Sequence, residues 1–205
     1  MKNLFLATIV ALLSATTIYA QSDDTTAQFG VKAGVNIASL TGDDVDVDSR
    51  TSFNLGLFME LPISERFSFQ PEVLYSGQGY TILKDSNILK DMEYQLSYIQ
   101  VPLMAKFYLV KGLYAEAGPQ FGFKVKEKVA VKGSDNDGVI IKPDDSTVKG
   151  FDTSVALGTG YKFDNGLSLS ARYTHGLTKI FKENSLVENA DVKNSVWQFG
   201  VGFSF

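Results

Sequence analysis

Apolar and polar residues alternate without a break through the last eleven residues of the chain, 195–205. One face of this stretch is apolar and largely aromatic, and it consists of Trp197, Phe199, Val201, Phe203 and Phe205. Because successive side chains of a strand point to opposite faces, the pattern predicts a strand with one strongly apolar side. The closing strand of a membrane β-barrel has this layout, since lipid covers one face and the lumen lies behind the other.

The same alternation predicts seven more strands upstream, at about 29–40, 50–61, 67–76, 93–109, 113–126, 154–163 and 167–174. Short turns are expected at 62–66, 110–112 and 164–166, the last because Asn-Gly tolerates positive φ. Long polar connections are expected at 41–49, 80–91, 132–149 and 176–192. Leu96 and Tyr98 are out of phase with the apolar residues from Ile99 onward, so we expect a β-bulge near Tyr98 in the fourth strand.

Eight strands with alternating long and short connections predict an all-β fold, an eight-stranded antiparallel up-and-down transmembrane β-barrel. The short turns and both termini would face the periplasm. Residues 195–205 would pair with 29–39 and close the barrel, which leaves no exposed sheet edge. A soluble lipocalin-like barrel shows similar alternation and is the structural alternative.

The polar face of the strands is rich in glycine, which suits the crowded interior of a narrow barrel. Its glycines are Gly30, Gly34, Gly56, Gly118, Gly122, Gly158, Gly160, Gly200 and Gly202. Buried charges need partners, so the charged residues of this face predict a lumenal ion-pair network of Lys32, Glu60, Glu72, Lys106, Glu116, Lys124, Lys162 and Arg172. Such a network fills the lumen, and a small ion-conducting pore is the alternative. Aromatic residues beside the short turns are expected to form a periplasmic girdle of Phe67, Phe107, Tyr161, Phe163, Phe203 and Phe205.

The N-terminus has the features of a signal peptide for Sec-type export. Lys2 precedes an apolar run from Leu4 to Leu13, and Ala20 suits cleavage before Gln21. The run is shorter than a membrane-spanning helix, although a retained N-terminal anchor is an alternative. We therefore expect a signal peptide at 1–20, a polar leader at 21–28 and a barrel domain at 29–205.

Composition excludes several classes of function. Removal of residues 1–20 removes Lys2 and no acid, so 18 basic and 23 acidic residues remain and the net charge is −5. This acidity argues against nucleic acid as a partner. The chain has no Cys, which excludes disulfides and thiolate metal sites. The absence of a second long apolar run excludes a helical membrane protein.

No residue pattern predicts a catalytic centre, a metal site or a cofactor. His175 is the only histidine and is placed near the outer rim, where a lipid hydrolase could use it, but no Ser lies two positions after it. The acidic run of Asp43, Asp44, Asp46 and Asp48 lacks the Gly turn and the distal Glu of a calcium loop. Residues 135–138 form a similar and equally incomplete fragment.

The segment Tyr98-Ile-Gln-Val-Pro-Leu-Met-Ala-Lys-Phe-Tyr108, with Gly112-Leu-Tyr-Ala-Glu-Ala-Gly-Pro-Gln-Phe-Gly122 after it, resembles the PorT-like outer-membrane β-barrel domain family. Gly-Val-Lys-Ala-Gly-Val-Asn36 and Gln70-Pro-Glu-Val-Leu-Tyr75 are similar to the same family. The resemblance implies a Gram-negative outer-membrane protein and assigns no reaction. A secretion-associated role goes with the family name, but no residue here carries it.

From these observations we expect a non-enzymatic outer-membrane barrel with a structural or loop-mediated binding role. Its expected partners are outer-membrane lipid, the barrel-assembly machinery, which the terminal Phe205 would engage, and an extracellular ligand at the loops. A small porin is the first alternative, and an outer-membrane lipid-modifying enzyme is the second.

Overall fold

The structure is a computed structural model that describes residues 26–41, 48–82, 92–131, 140–141, 150–178 and 193–205, and within these ranges the only regular elements are strands. The strands are β1 (Gln28–Thr41), β2 (Asp48–Ser64), β3 (Phe67–Ile82), β4 (Met92–Tyr108), β5 (Leu113–Val131), β6 (Ile140–Ile141), β7 (Phe151–Lys162), β8 (Leu167–Gly176) and β9 (Lys193–Ser204). In this part of the chain, no helix is long and apolar enough to cross a membrane. The predicted signal peptide, most of the polar leader and the central parts of the long connections lie outside these ranges.

Eight of the strands form a closed antiparallel barrel. Its order is β4-β3-β2-β1-β9-β8-β7-β5, and β5 pairs back onto β4. The closing contact is the predicted one, because β9 pairs with β1 from Gly30 opposite Ser204 to Thr41 opposite Lys193. The two-residue strand β6 pairs only with Val129 and Ala130 of β5 and lies outside the closed ring.

The strand register makes the barrel narrow and its strands steep. A line of paired residues that starts in β4 at Tyr108 returns to β4 at Tyr98, a stagger of 108 − 98 = 10 residues. The line passes through Tyr114, Gly160, Ser170, Gly200, Gly34, Asn54 and Ser76. With eight strands, such a stagger requires a tilt of roughly 35–45° and leaves an interior that side chains fill.

The short turns join the strands at one end of the barrel. β2 and β3 are linked by Glu65 and Arg66, and the other two turns are 109–112 and 163–166. The predicted Asn-Gly turn is present, and Gly166 adopts a φ of +85°, as such a turn requires. The strand ends that the long connections join lie at the opposite end.

The expected bulge in the fourth strand is only half right. A register shift does occur between β4 and β5 beside Ser97 and Tyr98, but Ser97 faces Lys126 and Tyr98 faces Lys124, so the extra residue is Val125 of β5. β4 itself keeps its alternation, and Leu96 and Tyr98 are buried inside. The sequence argument assumed that apolar side chains must point outward, whereas the lumen of this barrel also accepts apolar residues.

Alternation sorts the side chains of each strand into two environments. The outward set is exposed and apolar, and Trp197, Phe199, Val201 and Phe203 of β9 are each about half exposed. The inward set is buried and mostly polar, and it includes Asn36, Glu72 and Arg172. This is the reverse of a water-soluble protein and is the arrangement of a transmembrane barrel.

Two lumenal glycines of β5 test how tightly the interior is packed. A Cβ at Gly118 would lie 2.0 Å from the backbone oxygen of Leu103, whereas one at Gly122 would meet nothing closer than 3.4 Å. We expect Gly118→Ala to destabilise the barrel by about 1–3 kcal/mol, because neighbouring backbone must move. Gly122→Ala is the matched control and should be neutral or slightly stabilising. Urea unfolding of both variants in lipid vesicles measures the difference, and equal stabilities would contradict this packing.

Candidate functional site

The centre of the lumen is spanned by an ion pair between Arg172 of β8 and Glu72 of β3. These strands are four positions apart in either direction around the ring, so the contact crosses the full width of the barrel. It is bidentate, because Nη1 donates to Glu72 Oε2 at 3.0 Å and Nη2 donates to Oε1 at 2.7 Å. Both residues are only 1% exposed. A planar guanidinium forms such paired bonds with a carboxylate, which fixes both direction and distance.

Three neighbours complete this central cluster. Arg172 Nε donates to Glu116 Oε1 at 2.8 Å, so one guanidinium faces two carboxylates. Glu72 Oε1 also accepts from Gln70 Nε2 at 2.7 Å and lies 3.4 Å from Lys32 Nζ. The hydrogen bonds offset the cost of burying these charges, which would be large for any of them alone.

A second cluster lies nearer the short-turn end and is organised around Glu60 of β2. Lys162 Nζ donates to Glu60 Oε2 at 2.9 Å from β7, again the strand directly opposite. The Tyr108 hydroxyl donates to Glu60 Oε1 at 2.5 Å. Lys106 Nζ is 3.6 Å from Glu60 and 4.2 Å from the centre of the Tyr114 ring. The lumen is therefore crossed by ion pairs at two levels.

A third, uncharged layer lies on the other side of the central cluster, toward the long connections. Asn54 Nδ2 donates to Asn36 Oδ1 at 2.5 Å, and Asn36 Nδ2 donates to Ser76 Oγ at 2.9 Å. These residues come from β2, β1 and β3, so the layer joins neighbouring strands rather than opposite ones. Amide groups suit this position because each can donate and accept.

The short-turn end opens into a depression with a volume of about 1290 Å³. Glu60, Tyr108 and Lys162 line it, together with Arg66 of the first turn and Phe205 at the chain end. Solvent can therefore reach the Glu60 cluster from this end, which is consistent with the partial exposure of the Lys162 side chain. The central cluster lies deeper and is sealed from the depression by the Glu60 cluster.

Seven of the eight charged residues singled out from the sequence lie in the two clusters, and Lys124 does not. Lys124 lies toward the long-connection end of β5 and pairs at 2.6 Å with Glu127, a residue that the sequence did not single out. Sequence reasoning also missed Gln28, whose Oε1 accepts from Lys162 at 2.6 Å, and Tyr108. Both side chains have the lumenal phase of their strands, and this phase could have identified them. The sequence prediction, however, took in only charged residues.

His175 lies on the outward face of β8, in register with Ser195 of β9. A search for Ser along one strand could not find this cross-strand neighbour. The Ser195 hydroxyl, however, donates to Tyr173 Oη at 2.7 Å, and the His175 ring stacks on Tyr173 with a centroid distance of 6.5 Å. The hydroxyl proton is thus engaged by Tyr173, and the arrangement lacks the nucleophile–base bond of a hydrolase.

Asp43, Asp44 and Asp46 lie outside the described ranges, as does 135–138, and within those ranges no group of three possible ligands surrounds a metal position.

The outward aromatic residues form two belts. The belt beside the short turns includes the predicted girdle, where Tyr161 and Phe163 pack edge to face at 4.8 Å. The second belt lies toward the long connections and includes Trp197, which packs 5.0 Å from Tyr173. Two aromatic belts that flank an apolar band are typical of barrels whose outer surface faces lipid.

Two of the three short turns, 109–112 and 163–166, are joined by an exposed ion pair. Lys111 Nζ donates to Asp164 Oδ2 at 2.8 Å, and this bond raises the pKa of Lys111 above its usual value. Both side chains are about four-fifths exposed. Water screens such a pair, so it contributes little to stability compared with the lumenal pairs.

Comparison with known protein families agrees with this architecture. Residues 19–182 match the model of the family described as outer membrane protein beta-barrel domain. No curated protein sequence matches the chain.

Among solved structures, the chain is similar to the Neisserial surface protein A, with a TM-score of 0.53 and 16% identity over 86% of this chain and 97% of that one. It is also matched to the attachment invasion locus protein Ail of Yersinia pestis, with a TM-score of 0.47 and 17% identity over 87% and 98%. OprG of Pseudomonas aeruginosa gives a TM-score of 0.43 and 14% identity over 88% and 97%. At these identities, the likeness to the Neisserial protein supports the fold alone.

Breaking the central ion pair tests its energetic weight. Glu72→Gln keeps the shape of the side chain but leaves Arg172 without its bidentate partner, and we expect a loss of about 3–5 kcal/mol in unfolding free energy. Asp164→Asn removes a carboxylate in the same way from the exposed turn pair and serves as the control, which should unfold like the wild type. A Glu72→Gln variant as stable as the control would contradict the role of the central pair.

Proposed function

The chain belongs to the outer membrane protein β-barrel domain family and is a small outer-membrane β-barrel protein, and from this premise we propose that it is a non-enzymatic barrel whose lumen is closed and whose long connections bind partners. The proposal rests on two ion pairs that cross the lumen, Arg172 with Glu72 and Lys162 with Glu60. A filled lumen leaves the outer connections as the part able to recognise other molecules.

The closed lumen follows from geometry and from the cost of desolvation. An eight-stranded interior is barely wide enough for its own side chains, and here those side chains bond to one another across its diameter. An ion that entered would have to displace Glu72 or Arg172 from partners at 2.7 to 3.0 Å. The resulting unpaired charge would be costly in this buried position.

The proposed binding role rests on the connections at the outer end. Loops held by a rigid scaffold commonly carry the function of a protein, and the connections at this end are longer than the short turns at the other end. In this proposal the protein belongs to the PorT-like group of the family and serves a secretion- or envelope-associated role. The resemblance of 98–122 to that group supports the membership, and the role is the one that goes with the family name.

The same proposal places export and assembly in the usual order for such barrels. Residues 1–20 direct Sec-type export and are then removed. The barrel-assembly machinery recognises the end of β9, whose apolar residues alternate up to Phe205. Outer-membrane lipid then covers the outward face, including Trp197 and Phe199.

A narrow pore is the second candidate, and the depression at the short-turn end favours it. This depression of about 1290 Å³ reaches Glu60, so the inner mouth of a conducting path is present. The Glu60 cluster and the central cluster remain as barriers. An enzyme is less well supported, because the Ser195 hydroxyl makes its hydrogen bond with Tyr173 rather than with His175.

Planar-bilayer recording separates the filled barrel from the pore. We expect the wild-type protein to give no channel events, and we expect none from Arg172→Ala either, because the Lys162–Glu60 pair still crosses the lumen. Lys111→Ala removes an equal charge outside the lumen and is the control. Regular conductance steps from the wild-type protein would contradict the proposal and support the porin.

Loop exchange in intact cells tests the binding role. Residues 42–47, 83–91, 132–149 and 179–192 would be replaced by short Gly/Ser linkers, alone and together, with the barrel strands unchanged. We expect partners that crosslink to the wild-type protein to be lost in at least one exchanged variant that still folds. A crosslinking pattern that is the same for the wild type and all folded variants would contradict loop-mediated binding.

A further inference from the structure

Four buried polar side chains lie together on the outer side of the central ion pair. Thr174 follows Arg172 by two residues on β8, and Gln198 of β9 is in register with Arg172. Gln100 of β4 is in register with Leu74, two residues beyond Glu72 on β3. Gln120 lies four residues beyond Glu116 on β5. All four face the lumen and are at most 5% exposed.

Each of these side chains has a polar atom without a hydrogen-bond partner among the residues that the structure describes. The atoms are Gln100 Oε1, Gln120 Oε1, Thr174 Oγ1 and Gln198 Nε2. Buried polar atoms are almost always bonded to protein or to ordered water, because burial without a partner is costly. Turning an amide by 180° exchanges its O and N atoms but does not remove the need for a partner.

The surroundings restrict what the partner can be. Val196 and Tyr98 lie two residues further outward than Gln198 on β9 and Gln100 on β4, and both are buried, as is Ala38 of β1. These three apolar side chains lie toward the outer end from the four polar ones. Arg172 and its carboxylates separate them from the inner end. Beside Gln120, a Cβ at Gly122 would find its nearest neighbour, Tyr98, at 3.4 Å, an ordinary van der Waals contact, so the lumen is less tightly packed here than at Gly118.

We infer that Gln100, Gln120, Thr174 and Gln198 form a hydration site that holds an enclosed cluster of ordered water molecules on the outer side of the Arg172–Glu72 ion pair. Water both donates and accepts, so it can serve three oxygens and one N–H. A metal cation would lie beside the positive Arg172, and an anion would lie beside the Glu72 and Glu116 carboxylates.

The water cluster does not depend on whether the loops bind a partner. It distinguishes two parts of the lumen. The ion-paired part is held by direct contacts between side chains, whereas these four polar side chains are joined through water beside the directly bonded Asn36, Asn54 and Ser76. Bridging waters in such a site make about three hydrogen bonds each. The outer half of the lumen therefore combines hydrated side chains with directly bonded amides and, toward the long connections, the Lys124–Glu127 pair.

Water–protein NOE spectra of the full chain in lipid nanodiscs test the inference. We expect cross-peaks from long-lived water to the side-chain amides of Gln100, Gln120 and Gln198. In Gln120→Met, which keeps the size of the side chain but cannot bond to water, we expect these cross-peaks to weaken and the Tm to fall by roughly 2–4 °C.

Met104→Leu is the matched control. Met104 is fully buried in the same lumen, and its replacement leaves the polar atoms in place, so we expect the water cross-peaks to persist. The wild-type spectrum is decisive even where a variant fails to fold. Absence of long-lived water cross-peaks at these amides in the wild type would overturn the inference, as would a bound metal ion or anion at the same atoms.

Discussion

The Arg172–Glu72 ion pair is a fully buried, bidentate contact between two strands on opposite sides of the barrel, and the centre of the lumen is arranged around it. Strand pairing holds each strand only to its neighbours, whereas this bidentate contact sets the distance across the lumen. Glu116, Lys32 and Gln70 are arranged around it, so most of the buried charge in the centre belongs to one network. A barrel without this pair would have to leave several buried charges unpaired or admit water to them.

The packing of the lumen follows from the same constraint. A stagger of ten residues over eight strands makes the interior narrow, and some of the long charged side chains fit because the neighbouring strand carries glycine. Gly158 illustrates this, since a Cβ there would lie 2.9 Å from Glu116 Oε1. Lipid solvates the outside, and so the polar interior and the apolar exterior are parts of one arrangement. The proposed binding role then falls to the connections at the outer end of the barrel.

The sequence was sufficient to predict the fold, because the alternation of residues such as Trp197 and Phe199 identifies each strand and its outward face. It also identified the lumenal charges by phase. It could not predict which charges meet, since Arg172 and Glu72 are 100 positions apart and their contact depends on the stagger of the whole ring. The same holds for His175 and Ser195, which only the β8–β9 register brings together. It also holds for the bulge, which the sequence placed in the fourth strand although its extra residue is Val125 of β5. Phase gives the face of a side chain, whereas register gives its neighbours.

The most direct test of this account is a distance measurement between Arg172 and Glu72 in a lipid bilayer. Solid-state NMR of the full chain, with labels at the Arg172 guanidinium nitrogens and the Glu72 carboxylate carbon, would report their dipolar coupling. The account predicts a strong coupling in an immobile guanidinium, as required by N–O distances of 2.7 and 3.0 Å. No coupling, with a guanidinium that reorients freely, would contradict it.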